Sequence, residues 1–170
     1  MKKALVPLFI LSLALNANAA EYTKVNTKPC IQGEIDRICD LNENPITGTV
    51  KYYYENRNLD AELNYKDGKL EGLSKLYYEN GNLRVEENYK DGKLEGFKKV
   101  YYKNGNLLSE LNYKNDKPEG LEKTYYENGD LKAEIIFKEG KPISGYEYNI
   151  HGNKTNIPDT HLHNVVKYLK

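Results

Sequence analysis

The chain has 170 residues, with 25 Lys and Arg against 25 Asp and Glu and only two cysteines. Zero net charge, with Lys and Glu spread evenly, excludes a nucleic-acid partner held by a basic patch. The length suits one domain with a modest core.

Residues 1–19 read MKKALVPLFILSLALNANA, placing Lys2 and Lys3 before an apolar run from Ala4 to Leu15 and ending in Ala17-Asn18-Ala19. This order predicts a secretory signal peptide cleaved after Ala19. The apolar run is shorter than the ~20 residues that span a bilayer, so no membrane span is expected in the mature chain. No cysteine follows the small residues, which argues against a lipid anchor. The expected location is periplasmic or secreted. Without Lys2 and Lys3 the basic count falls from 25 to 23 against 25 acids, a net charge near minus two.

Residues 20–40 form an N-terminal segment holding Cys30 and Cys39. Export makes a disulfide the expected state, contributing roughly 2.5 to 3 kcal/mol on the chain-entropy model. A regular hairpin at Gln32-Gly33 conflicts with it. Cys30 would then face Ile35, leaving Cys39 ~13 Å further along at strand rise, beyond the ~7 Å limit for a bridge. Pro29 weakens that hairpin, which favours a looped, bridged segment.

Residues 41–157 repeat with a period of 24: Gly48, Gly72, Gly96 and Gly120 recur in step, as do Tyr54, Tyr78, Tyr102 and Tyr126. Leu59, Leu83, Leu107 and Leu131 keep the frame, followed by Glu62, Glu86, Glu110 and Glu134. Each unit carries two turn signals, Asn80-Gly81 and Asp91-Gly92 in one copy, which suit two-residue type I′ hairpins. Eight strands of one meander are expected between Gly48 and Ser144, because each such unit needs its neighbours to bury a face. Gly and Asn recur too often for helices.

If Asn80 and Gly81 are the central turn residues, Tyr78 faces Leu83, Leu76 faces Val85 and Lys75 faces Glu86. The same arithmetic pairs Lys51 with Glu62, Lys99 with Glu110 and Lys123 with Glu134. Alternation then predicts one face of Tyr78, Leu76, Leu83, Val85, Tyr89 and Leu94 and a solvated face of Lys75, Tyr77, Glu86 and Asn88. Leu41 and Ile46 fit the frame, so Ile35 to Leu41 is expected as a first strand. Residues 145–157 read as a shortened unit turning at His151-Gly152. Over 158–170, Leu162, Val165, Val166 and Leu169 recur at helical spacing after Pro158, predicting a short helix that caps the last strand. The expected fold class is all-β: an elongated single-layer antiparallel meander of 24-residue β-hairpin repeats with a short C-terminal helix.

The pattern carried by Tyr77, Tyr78, Asn80, Gly81, Leu83, Glu86, Tyr89, Lys90, Gly92, Lys93 and Gly96, with its equivalents over residues 41–152, resembles the variant MORN repeat of secreted and envelope proteins, YwqK-type and antitoxin-like. The resemblance implies a sheet used for contact or scaffolding, with no catalytic residues to carry over. It is also the source of an alternative, an antitoxin or immunity partner of a secreted toxin.

The residues themselves offer no chemistry. Asp40-Leu41-Asn42-Glu43-Asn44 imitates the start of a calcium loop, but Pro45 stands where the glycine is needed and Lys51 where the closing Glu is needed. His161 and His163, one residue apart on a helix, point away from each other. An enzyme needs one singular constellation, and this chain repeats instead. No catalytic residue, metal or cofactor is therefore expected. The leading reading is a non-catalytic protein-binding or scaffold module of the cell envelope, with an unidentified protein partner or self-association. Its candidate contact face is Tyr54, Leu59, Tyr78, Leu83, Tyr102, Leu107, Tyr126 and Leu131. A glycan-binding alternative rests on Tyr53, Tyr77, Tyr101 and Tyr125, ~9.6 Å apart because two strands separate them.

The leader generates the first prediction. Amino-terminal sequencing of the protein from its producing cell should begin at Ala20; an intact Met1 in a soluble cytoplasmic fraction refutes export.

Overall fold

The structure is a computed structural model and describes residues 20–23, 27–30 and 37–162. The expected signal peptide, the expected Gln32-Gly33 turn and residues 163–170, the greater part of the expected capping helix, lie outside the described residues.

The strands are β1 (Ala20–Thr23), β2 (Lys28–Pro29), β3 (Ile38–Cys39), β4 (Gly48–Tyr53), β5 (Leu59–Lys66), β6 (Lys69–Leu70), β7 (Gly72–Tyr77), β8 (Leu83–Lys90), β9 (Lys93–Tyr101), β10 (Leu107–Lys114), β11 (Lys117–Tyr125), β12 (Leu131–Lys138), β13 (Lys141–Tyr148) and β14 (Lys154–Asn156). Twelve of them make one sheet in which chain order from β4 to β14 is spatial order, an antiparallel meander. Residues 159–162 are helical.

The N-terminal end departs from expectation. The place beside β4 belongs to β1, which pairs with it in parallel, while β3 pairs with β2 in a separate two-stranded sheet. The described part of the expected first strand, residues 37–41 of Ile35 to Leu41, is thus not in the array, and Leu41 is 61% exposed. The cause is a tight loop: Asp40 N donates to the Asn44 carbonyl, and the Asp40 carboxylate accepts from the amides of Asn42 and Asn44. The loop opens on Asp40 and Leu41, the last two residues of the expected strand. Cys30 and Cys39 are bonded with Cα atoms 5.1 Å apart. Pairing Pro29 with Ile38 and Cys30 with Arg37 removes the spacing conflict that a hairpin at Gln32-Gly33 would create.

The two turn signals fold differently. At Asp67-Gly68 and Asp91-Gly92 both residues have positive φ, 51° and 79° in the first and 51° and 81° in the second, as type I′ turns require. At Asn80-Gly81 only the glycine does, at 87°. There Gly81 N donates to the Tyr78 carbonyl and Tyr78 N to the Asn82 carbonyl, a longer loop closed by a left-handed glycine. The Asn80 side chain favours it by accepting from Asn82 N at 3.1 Å. Tyr77 rather than Tyr78 therefore pairs with Leu83, and Leu83 and Arg84 together oppose Tyr77 as a β-bulge. The bulge absorbs the extra residue, so the Lys–Glu register is as expected in all four repeats.

Repeats are stitched along both long edges. Where the bulge interrupts the ladder, the hydroxyl of Tyr54 donates to the Tyr77 carbonyl of the next repeat, Tyr78 to Tyr101, Tyr102 to Tyr125 and Tyr126 to Tyr148, at 2.6 to 2.8 Å. Beside them the amides of Asn58, Asn82 and Asn106 donate to Glu79, Lys103 and Glu127 carbonyls. On the opposite edge Gly92 N donates to the Leu70 carbonyl and Gly140 N to Pro118, while Glu71, Glu95 and Glu119 accept from the turn amides of Asp91, Asn115 and Glu139. The described part of the C-terminal segment closes the far end: Ile157 and Leu162 pack with Leu111, Ile135 and Phe137.

These bonds generate a prediction. Replacing Tyr78 by Phe removes one inter-repeat hydrogen bond and should cost about 1 kcal/mol in urea unfolding. Replacing the half-open Tyr53, 53% exposed, should cost little.

Candidate interaction face

Direct cross-strand pairs share a face, so the register sorts every side chain. One face carries a continuous row in which Lys51, Glu62, Lys75, Glu86, Lys99, Glu110, Lys123 and Glu134 follow one another across eight neighbouring strands. Tyr101 and Tyr125 flank the row and donate to Glu86 and Glu110, each at 2.9 Å. Tyr148 does the same to Glu134, and Lys154 lies 3.8 Å from the centre of the Tyr146 ring. Lys75 approaches Glu86 at 3.8 Å, a half-exposed pair of little energetic weight.

The tyrosines of the glycan alternative therefore do stand on the Lys and Glu face, but the Tyr101 and Tyr125 hydroxyls are engaged within the sheet. Burial pushes both phenols up to about 12, helped by the hydrogen bond to Glu86 or Glu110 and by that carboxylate's charge.

The eight residues of the expected contact face are not brought onto one face. Leu59, Leu83, Leu107 and Leu131 pair with Tyr53, Tyr77, Tyr101 and Tyr125 on the Lys and Glu side. The bulge is the reason, since it points two successive side chains the same way: Leu108 and Ser109 line one recess with Tyr102, and Lys132 and Ala133 line another with Tyr126. Tyr54, Tyr78, Tyr102 and Tyr126 remain on the other side, their hydroxyls spent between repeats. That other face is largely closed by small residues and tyrosine rings, with Ala61, Ser74, Ser109, Thr124 and Ala133 buried. A recess of about 610 Å³ on it contains Lys98, which is already paired with Glu87 at 2.7 Å.

Part of the open apolar surface lies instead on the face of the charge row. Phe97 is 39% exposed, Leu121 43%, Ile136 41% and Tyr146 38%. Leu121 pairs directly with Ile136, and Phe97 and Leu121 flank a recess of about 200 Å³ that also holds Asn112, Lys99, Glu110 and Lys123. The sequence reading missed these residues. A signal existed: Thr49, Leu73, Phe97 and Leu121 each follow the periodic glycine. That glycine has φ of 76° at Gly72, 94° at Gly96 and 85° at Gly120, the left-handed region at the second bulge of each repeat.

The Asp40 loop is spent on itself: hydrogen bonds from the Asn44 backbone and side chain, then Asn42, hold the carboxyl below its usual range. Among the described residues no group of three His, Cys, Asp or Glu is placed to hold a metal ion.

A single-layer sheet stitched by turn-to-turn hydrogen bonds, with its open surface on one face, defines a repeat protein built for contact. The MORN repeat variant matches residues 46–67, 70–91, 94–115 and 118–139. The chain belongs to that family. No curated protein matches it. Among solved structures it is similar to a chain of the Glycosylation Associate Protein (Gap123) complex from Streptococcus agalactiae, at 20% identity and a TM-score of 0.41. The match covers 82% of this chain and 28% of that one.

The raised phenols generate a pH prediction. Tyr101 and Tyr125 titrate near 12 when folded and near 10 when unfolded, so their contribution to stability is complete below pH 10 and lost as pH rises through about 12. Phenolate absorbance should therefore show a late-titrating fraction that shrinks in the Tyr101→Phe/Tyr125→Phe double variant. A single transition near 10 with the sheet spectrum intact refutes the assignment.

Proposed function

We propose that this chain acts outside the cytoplasm as a non-catalytic protein-binding or scaffold module of the cell envelope. The observation that carries the contact role is the apolar strip Phe97, Leu121 and Ile136, left open beside a row of alternating charges on the sheet. Large apolar side chains gathered on one face of an otherwise polar surface mark a contact site. The Cys30–Cys39 bridge supports the extracytoplasmic part, because such bonds persist in oxidising compartments. The family membership supports a non-catalytic role, since its repeats supply surface rather than a singular site.

The test is capture from envelope extract by the immobilised chain. The Phe97→Asn/Leu121→Asn variant should lose the captured protein while its circular dichroism stays sheet-like, and Tyr54→Phe should retain it. Retention by the double variant with loss by Tyr54→Phe would place the contact on the opposite face.

A further inference from the structure

We propose that the Lys and Glu face binds a second copy of this chain, face to face about a two-fold axis lying along the strands between β10 and β11. The inference rests on the contact role above and names its partner.

The charge row has a property that a protein partner of arbitrary sequence would not need. Its sign alternates strand by strand from Lys51 to Glu134. A two-fold axis parallel to the strands reverses strand order in the second copy. Whenever that axis falls between two strands of the row, each row Lys that meets another row residue meets a Glu, and each such Glu meets a Lys. The row is complementary to itself, as a symmetric interface requires.

The apolar row chooses among the possible axes. Phe97, Asn112, Leu121 and Ile136 lie on the successive strands β9 to β12, one step along from the charges. With the axis between β10 and β11, Leu121 of the second copy lies over Asn112, in the recess between Phe97 and Leu121. Phe97 then meets Ile136 of the second copy. The same placement sets Lys99 against Glu134 and Glu110 against Lys123 of the second copy. Both knobs and both holes come from one chain, and every member is used twice.

Sheets packed face to face keep their strands within about 30° of each other, which an axis along the strands permits. Six to eight overlapping strands at ~4.8 Å spacing give ~30 to 40 Å of width, and three side-chain rows give ~20 Å of length. The ~600 to 800 Å² covered on each copy reaches the ~1,200 Å² total at which stable interfaces begin. A reversible dimer is the expected species.

The experiment uses two charge variants of the purified chain, Lys99→Glu/Lys123→Glu and Glu110→Lys/Glu134→Lys, followed by sedimentation over a wide concentration range. Wild type should form dimers at high concentration. Each variant alone should have its dissociation constant raised roughly ten-fold or more by like charges, and an equimolar mixture should recover dimers. Because reversed charges also strain the sheet, circular dichroism is recorded for each, and Phe97→Asn, which places in the row a residue already present at Asn112, serves as a second disrupting variant. A wild type that stays monomeric, variants that dimerise like wild type, or a mixture that fails to recover dimers each overturns the dimer. If the wild type is monomeric and still captures an envelope protein that Phe97→Asn/Leu121→Asn loses, the dimer falls and the binding module stands. If it neither dimerises nor captures anything, both fall.

Discussion

Everything regular in this fold depends on how the carbonyl at the bulge is satisfied. The loop after each Tyr-Tyr pair carries one residue more than a tight hairpin, and the surplus becomes a bulge opposite Tyr53, Tyr77, Tyr101 and Tyr125. A bulge breaks the ladder, so the strand-end carbonyl needs another donor. The tyrosine of the preceding repeat supplies it: Tyr78 reaches Tyr101, and Tyr102 reaches Tyr125. The donor stands 23 residues upstream in the first three contacts and 22 in the last, so the spacing holds to within one residue. The period near 24 residues serves hydrogen bonding as well as packing.

Such an array must also be ended. The asparagine amides that bind each following turn run through Asn58, Asn82 and Asn106, and the next residue in frame is Asp130, which has no amide to donate. Asp130 instead accepts from Asn128 within its own turn. The ladder stops one unit before β14, where Ile157 and Leu162 cover the last apolar strands. At the other end Ile38 N donates to the Gly68 carbonyl and Gly68 N to Ile46, so the bridged N-terminal segment occupies the first turn's stacking position. The disulfide holds a cap too short to be held by a core.

The sheet, its strand order and its charge register were legible because they follow from periodicity and from opposite charges falling opposite one another. The face of each leucine was not. Asn80-Gly81 and Asp91-Gly92 look alike as turn signals, yet only the second pair adopts positive φ at both residues. The difference lies in a side-chain bond, Asn80 to Asn82 N, and one added residue moves Leu83 to the opposite face. The first strand differs for a similar local reason, the Asp40 carboxylate closing a loop that opens on the last two residues of the expected strand. The pairing of Cys30 with Cys39 was reachable from the compartment argument, although the regular-hairpin register spoke against it.

The same hydrogen bonds decide which residues remain free to differ between repeats. Tyr54, Tyr78, Tyr102 and Tyr126, the turn asparagines Asn58, Asn82 and Asn106, and the glutamates Glu71, Glu95 and Glu119 all serve a neighbouring repeat, so changing one unsettles two units. The residue after that glycine and its cross-strand neighbour carry no such duty in the later repeats. Asn64 and Asn88 still donate to the Leu73 and Glu95 carbonyls, whereas Asn112 is exposed and Ile136 has no amide to offer. Across the four units this pair of positions passes from Thr49 and Asn64, through Leu73 and Asn88, to Phe97 and Asn112, and finally to Leu121 and Ile136. It becomes more apolar and more open towards the C-terminal repeats. A scaffold that commits its repeated tyrosines, asparagines and glutamates to neighbouring repeats leaves recognition to positions it does not use that way, and here those positions converge on β9 to β12.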